Sequence, residues 1–341
     1  MVPTGDVLLI DKYGAYLAVK EGLLVVRVRE GGEWKDVTEV SPAQLDSIVV
    51  AVEGVSVSAA AIMLASAHGV DVVFLSGTKP ICRLVSATYG SSLKVWVKQL
   101  KQALNEARRR ELAISFVSGK IHNQAVVLRT FYKVESSSGR RLNLLKETID
   151  ALNELQASLN SVKDWKEAGR VEANAAYLYW KAVKELIPKE LGFRKRLKRW
   201  SLPPNEKPDP FNIALNIGYS ILAKEVWRAT FIANLNPYVG FLHARRPGRI
   251  SLVYDLMEEF RPIIVDRPII KLARKDPQTL KQLHNENEEN RRKATRQIWK
   301  TILEVIKETK PPLREEITSQ ARKLAYAILN NTQYQPYKAR W

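Results

Sequence analysis

Between Phe241 and Pro262 the sequence reads FLHARRPGRISLVYDLMEEFRP. From His243 to Glu259 it holds the histidine, the arginines Arg245, Arg246 and Arg249, and the carboxylates Asp255, Glu258 and Glu259. An imidazole nitrogen with two or three carboxylates is a donor set for a hard divalent cation, and the nitrogen tilts the choice toward Mn2+ over Mg2+. Guanidinium groups fork onto phosphate oxygens, so the three arginines could hold a phosphodiester beside such an ion. Metal and arginine together point to phosphodiester chemistry. A plainer reading competes with this one. Acidic residues early in a helix are what the helix dipole selects, and a lone histidine at the end of an element is more often a hydrogen-bonded core residue than a ligand.

Several elements must position these groups. Pro247-Gly248 is a turn dipeptide able to fold the chain back on itself. Ser251 is expected to cap a helix starting at Leu252, which sets Asp255, Glu258 and Glu259 about one turn apart. Helical phase does not say which carboxylate leads, because Glu259 lies nearer the Leu252/Leu256/Phe260 stripe than Glu258 does. Glu172 is a further candidate. Its helical neighbours Ala176, Tyr179 and Val183 form a mostly apolar stripe, where an ionised carboxylate must be paired, hydrogen-bonded or metal-bound. The competing reading places Glu172 in an exposed first turn.

The composition supplies a partner class. The 341 residues carry 54 Lys and Arg against 36 Asp and Glu, a formal charge of +18. Such a surplus favours a polyanion, either nucleic acid or an anionic membrane surface. The most apolar region, 47–75, is interrupted by Glu53, Gly54, His68, Gly69 and Asp71, so it cannot supply a spanning helix of about 20 residues. No membrane partner is therefore expected. Met1–Asp6 lacks the layout of a signal peptide. The single cysteine, Cys82, fits a reducing, cytoplasmic setting and is expected to be a buried, inert thiol. No phosphate-binding glycine loop, paired zinc cysteines or nucleophile-elbow serine is present.

The expected fold is α+β with two domains: a small β-rich domain over 1–85, a linker over 86–94, and an all-helical domain over 95–341. Short β-branched runs at 7–10, 15–19, 23–28, 46–52, 71–75 and 80–85 alternate with turn signals, and 56–67 reads as a helix that His68 closes. Helical patterns follow at 94–134, 142–162, 171–186, 211–235, 279–308 and 313–329. Between them, Arg194, Lys195, Arg196, Lys198 and Arg199 crowd between Phe193 and Trp200, ahead of a proline-rich run ending at Pro210. Cations and rings in that mixture suit phosphates and bases, although a solvated basic loop is an equal contender.

Several blocks, in order, resemble a known family. They are Lys120-Ile121-His122-Asn123-Gln124, Glu172 to Trp180, Asp209-Pro210-Phe211-Asn212 with Leu215 to Ser220, Pro237 to His243, Ser251 to Arg267, and Leu313 to Leu329. Together they resemble the CRISPR-associated integrase of spacer acquisition, the universal first CRISPR-associated protein family. The resemblance implies an amino-terminal β-domain that dimerises and a helical catalytic domain. It implies Mn2+ or Mg2+ held by Glu172, His243 and Glu258, with Asp255 a further acidic position near the catalytic site. It is this resemblance, not helical phase, that selects Glu258. It also implies insertion of new spacer DNA by 3′-hydroxyl attack on a phosphodiester, and nuclease action on double-stranded and branched DNA. Arg245, Arg246, Arg249 and the 194–199 cluster would bind DNA. A homodimer and a small ferredoxin-like second CRISPR-associated acquisition protein are the implied partners. Two departures stand out. Ala173 replaces a glycine common in relatives, and the third ligand is glutamate where some relatives carry aspartate. Neither removes a ligating oxygen. The rival functions are a non-catalytic nucleic-acid-binding protein and a stand-alone structure-selective nuclease.

Overall fold

The structure is a computed structural model, and it describes residues 6–76, 79–84, 90–139, 143–197, 208–244 and 246–340. The chain divides into two compact units, Met1–Gly90 and Ser91–Trp341.

In the first unit, β1 (Asp6–Ile10), β5 (Leu45–Val50), β7 (Asp71–Ser76) and β8 (Lys79–Leu84) form one four-stranded sheet in that order. The first three are parallel and β8 is antiparallel to β7. A second sheet has the order β4 (Glu33–Val40), β3 (Leu23–Glu30), β2 (Tyr16–Lys20), β6 (Ser56–Val57). Helix α1 (Ala59–Ala67) is capped by the Ser58 hydroxyl and closed by His68, whose Nδ1 lies 3.0 Å from the Leu64 carbonyl. Leu17, Leu24, Val26, Ile48, Val50, Ala61 and Val72 belong to one apolar core. Strand β4 was not expected. Its sequence, EWKDVTEV, is exposed almost throughout, so it lacks the alternation that marks a half-buried strand. The antiparallel ladder to β3 ties it to the sheet, and on its exposed face Asp36 meets both Arg27 and Lys20. The expected buried thiol is also corrected, because Cys82 lies on the edge strand β8 and is exposed.

The second unit is helical. Helices α2 (Gly90–Leu104) and α3 (Glu106–Ser137) replace the single helix expected from 94. The break falls where the Asn105 side chain accepts the Arg108 N–H and caps α3. Residues 90–94, read as linker, are thus the first turn of α2. After α4 (Asn143–Ser158), α5 (Trp165–Lys184) and α6 (Pro210–Ile232), a loop leads to α7 (Ser251–Phe260). Ser251 is the first residue of α7 rather than its cap, and its hydroxyl donates to the Ala244 carbonyl. A π-helical turn, Arg261–Asp266, joins α7 to α8 (Arg267–Lys275). Pro262 has no N–H for the Glu258 carbonyl, and a widened turn accommodates that loss. Short α9 (Pro277–Lys281), α10 (Glu288–Glu308) and α11 (Leu313–Asn330) complete the set. Among the described residues no helix is long and apolar enough to cross a membrane.

Helix α3 packs against α4, α5 and α7, and α6 packs against α7, α10 and α11. Helix α7 is therefore enclosed. Nine of its ten residues are buried, Asp255, Glu258 and Glu259 among them. Burying a carboxylate without partners costs several kcal/mol, so each of the three must have its own set.

Candidate active site

Each carboxylate of α7 does have its own set, and the three sets differ. Asp255 points at the loop before the helix. Its Oδ2 accepts the Phe241 N–H at 2.5 Å and the Leu242 N–H at 3.0 Å, while Oδ1 accepts the His243 N–H at 2.9 Å. The same Oδ1 lies 2.7 Å from His243 Nδ1. The loop can come this close because residue 240 is glycine: a Cβ there would stand 2.7 Å from Asp255 Oδ2 and 2.8 Å from Ser251 Cβ. Asp255 thus fixes the imidazole and leaves Nε2 as the outward nitrogen.

Glu258 lies about a turn further along. His243 Nε2 is 3.9 Å from its Oε1, Arg261 Nε is 3.3 Å from the same oxygen, and Lys120 Nζ is 2.6 Å from Oε2. Lys120 comes from α3 and also bonds Glu172 on α5. Burial pushes the Glu258 carboxyl upward, but Arg261, Lys120 and His243 outweigh it and hold the group down at about 2. Burial lowers Lys120, and Glu172 and Glu258 more than offset that, leaving its ammonium above the usual lysine range.

Glu259 faces elsewhere. It accepts the Tyr334 hydroxyl at 2.8 Å and the Tyr337 N–H at 2.6 Å, and Gln320 Nε2 lies 3.3 Å away. Burial pushes its carboxyl up to about 8, more than these bonds pull it down. Glu259 holds the carboxy-terminal segment against α3. That segment crosses at Gly119, where a Cβ would come 2.9 Å from Pro336.

Behind Glu258 is an inner layer. Arg261 lies over the Tyr219 ring, 4.8 Å from its centroid, and Arg196 lies 5.2 Å from the same centroid. The Tyr219 hydroxyl donates to Asp266 Oδ1 at 2.5 Å. Burial pushes Asp266 up to about 6 against that bond and the nearby cations Lys120, Arg196 and Arg261.

The arrangement gathers Glu172, His243 and Glu258 from two helices and a loop. Among the described residues no three such side chains close into a ligand cage, because Glu172 and Glu258 both turn to Lys120. The donor set nevertheless suits a hard divalent ion. Glu258 Oε2 is buried, with the Lys120 ammonium 2.6 Å away.

Residues 8–308 match the family model described as CRISPR associated protein Cas1. CRISPR-associated endonuclease Cas1 1 of Saccharolobus solfataricus is 40% identical over 331 residues, covering 97% of this chain and 83% of that one. This chain belongs to the Cas1 family. A second Cas1 relative, from Korarchaeum cryptofilum, is 33% identical over 279 residues, covering 78% of this chain and 77% of that one. Two solved structures share the Cas1 fold. A CAS1 protein from Thermotoga maritima aligns with TM-score 0.69 at 19% identity, over 98% of this chain and 100% of that one. A casposase bound to integration product aligns with TM-score 0.69 at 22% identity, over 98% and 94%.

The arginines expected to bind DNA divide within this Cas1 chain. Arg246 is exposed and Arg249 lies 5.7 Å from the Tyr254 ring centroid; neither pairs with Glu258 in the manner of Arg261. Arg245, Lys198 and Arg199 lie outside the described residues. Arg194 and Lys195 are exposed. Arg196 is half-buried and donates to Asn212 Oδ1 at 2.8 Å and Asn216 Oδ1 at 2.7 Å. These bonds tie the basic segment to the start of α6. Two site residues had no assigned role in the sequence reading. Lys120 carried a signal, because it sits beside the apolar Phe116, Val117 and Ile121, all fully buried. Arg261 carried none, since its direction depends on the π-helical turn.

Proposed function

We propose that this Cas1-family chain is a metal-dependent DNA integrase and endonuclease, with Mn2+ or Mg2+ held by Glu172, His243 and Glu258. The observation that carries the reading is the Glu172–Lys120–Glu258 bridge beside an imidazole whose orientation Asp255 fixes. Carboxylates from two helices already converge on one cation, and the outward His243 nitrogen stands next to them. A divalent ion bound there would supply Lewis-acid stabilisation of charge on a scissile phosphate. The chain's own residues do the rest. Asp255 keeps Nδ1 engaged, so only Nε2 is presented. Arg261 holds Glu258 ionised and aimed. Arg246 and Arg249 lie on the loop between His243 and α7, suited to a phosphodiester backbone, and Arg194 and Lys195 to flanking phosphates.

The charge of +18 supports a polyanionic substrate. The endonuclease name of the relatives supports phosphodiester cleavage, and the casposase bound to integration product supports strand transfer, in which a 3′-hydroxyl displaces the phosphodiester's leaving oxygen. A Cas2 subunit is the proposed partner, because similar chains are found in Cas6-RT-Cas1–Cas2 complexes. Homodimerisation through the β-sheet unit and a cytoplasmic setting complete the proposal.

The test is a strand-transfer assay with Mn2+, a fragment bearing free 3′-hydroxyls and a repeat-containing target. Joined strands are expected from the parent chain and loss of at least a thousandfold in Glu172→Ala. Equal rates from that variant would overturn the catalytic assignment, and hydrolysis without joining would favour a stand-alone nuclease.

A further inference from the structure

We infer that Lys120 is a resident cation of this site: its ammonium neutralises Glu172 and Glu258 when no divalent ion is bound, and it withdraws when an ion takes the same two carboxylates. The inference rests on the metal reading above and deepens it.

The geometry divides the work between two cations. Arg261 engages Oε1 of Glu258 at 3.3 Å, whereas Lys120 is 2.6 Å from Oε2 and also pairs with Glu172. A shared ion would need the same two carboxylates that the Lys120 ammonium joins. Charge leads to the same conclusion. Glu172 and Glu258 balance Lys120 and Arg261, so adding a divalent ion without moving either cation would add two positive charges beside a mostly buried cluster.

Of the two, Lys120 is the one able to leave. Arg261 is fixed by the Tyr219 ring and by its place in the π-helical turn. Lys120 is a compact charge on a flexible four-carbon stem. A way out also exists, since the Glu172 and His243 side chains retain 24% and 25% of their exposure against 6% for Glu258. The pocket opens on their side, and an ammonium swung that way meets the face a phosphate would approach. Lys120 therefore opposes ion binding by itself and favours it once a phosphate captures the displaced charge, a coupling that must be reciprocal.

The experiment is titration calorimetry of the full chain with Mn2+ alone, paired with thermal melting in EDTA and in saturating Mn2+. Lys120→Met is expected to bind Mn2+ at least tenfold more tightly than the parent, to melt lower in EDTA, and to recover in Mn2+. Lys120→Arg, which keeps the charge on a bulkier group, is expected to bind Mn2+ more weakly than the parent, and it decides the matter should Lys120→Met fail to fold under both conditions. If the parent binds Mn2+ but Lys120→Met binds it no more tightly, or Lys120→Arg binds as tightly as the parent, the resident-cation role is wrong and the metal reading survives. If neither the parent nor Lys120→Met binds Mn2+, both fall together.

Discussion

Asp255 grips His243 at two points with one oxygen: Oδ1 accepts the residue's own backbone N–H at 2.9 Å and stands 2.7 Å from its ring Nδ1. The other oxygen takes the two preceding N–H groups, so one fully buried carboxylate shapes the loop and aims the ring that the loop carries. Loop geometry and imidazole orientation are therefore one property, not two.

Asp255→Asn should break both. The amide nitrogen would have to face backbone N–H donors, leaving buried groups unsatisfied at roughly 1–3 kcal/mol each. We expect a thermal midpoint several degrees lower and Mn2+ affinity reduced about 10–100-fold, the usual cost of losing an orienting partner. Calorimetry and melting on the same preparation check this. An unchanged affinity in a folded variant would mean that Asp255 serves the loop alone.

Glu259 predicts a dependence on pH. Its folded value, about 8, lies above the ordinary 4.5, so the folded chain keeps a proton that the unfolded chain releases. The stabilisation is complete below about pH 4.5 and is lost as pH rises through 8, on the order of 5 kcal/mol across the window. Asp266, raised to about 6, contributes in the same direction lower in the range. Glu259→Gln removes only the first contribution. Its stability relative to the parent, read from denaturation midpoints in EDTA, should rise from pH 5 to pH 9. Parallel profiles would contradict the assignment.

The basic segment separates into two kinds of cation. Arg194→Ala and Lys195→Ala should each weaken DNA binding with little sequence preference and flatten the salt dependence by about one phosphate contact. Arg196→Ala should instead lower the melting temperature, because it removes bonds to Asn212 and Asn216. Binding isotherms at several salt concentrations, with melting curves, distinguish the two outcomes.

Much of this was legible in the sequence. The two-part division, the sheet-forming runs and the long helices follow from β-branched alternation and helical periodicity. Glu172 could be singled out because its stripe is apolar, and the 241–262 window because of its mixture of donors. Other features were hidden for identifiable reasons. Strand β4 is held by its backbone ladder to β3 and faces solvent almost throughout, so it carries no hydrophobic pattern. The parting of Glu258 from Glu259 depends on what surrounds an entirely buried helix: Lys120 and Arg261 on one side, Tyr334 and Tyr337 on the other. Lys120, Tyr334 and Tyr337 are far from α7 in the chain, and Arg261, three residues on from Glu258, is aimed by the π-helical turn that accommodates Pro262. A basic cluster likewise reads as uniform in sequence, and only packing shows that Arg196 is tied to Asn212 and Asn216.

The most direct measurement is anomalous diffraction from crystals of the full chain soaked in Mn2+. A single strong site is expected, bounded by Glu172, His243 Nε2 and Glu258, with Asp255 still on Nδ1 and Lys120 drawn away from both carboxylates. Ordered density for those three side chains with no ion between them at saturating Mn2+, or an ion held elsewhere without them, would contradict the account.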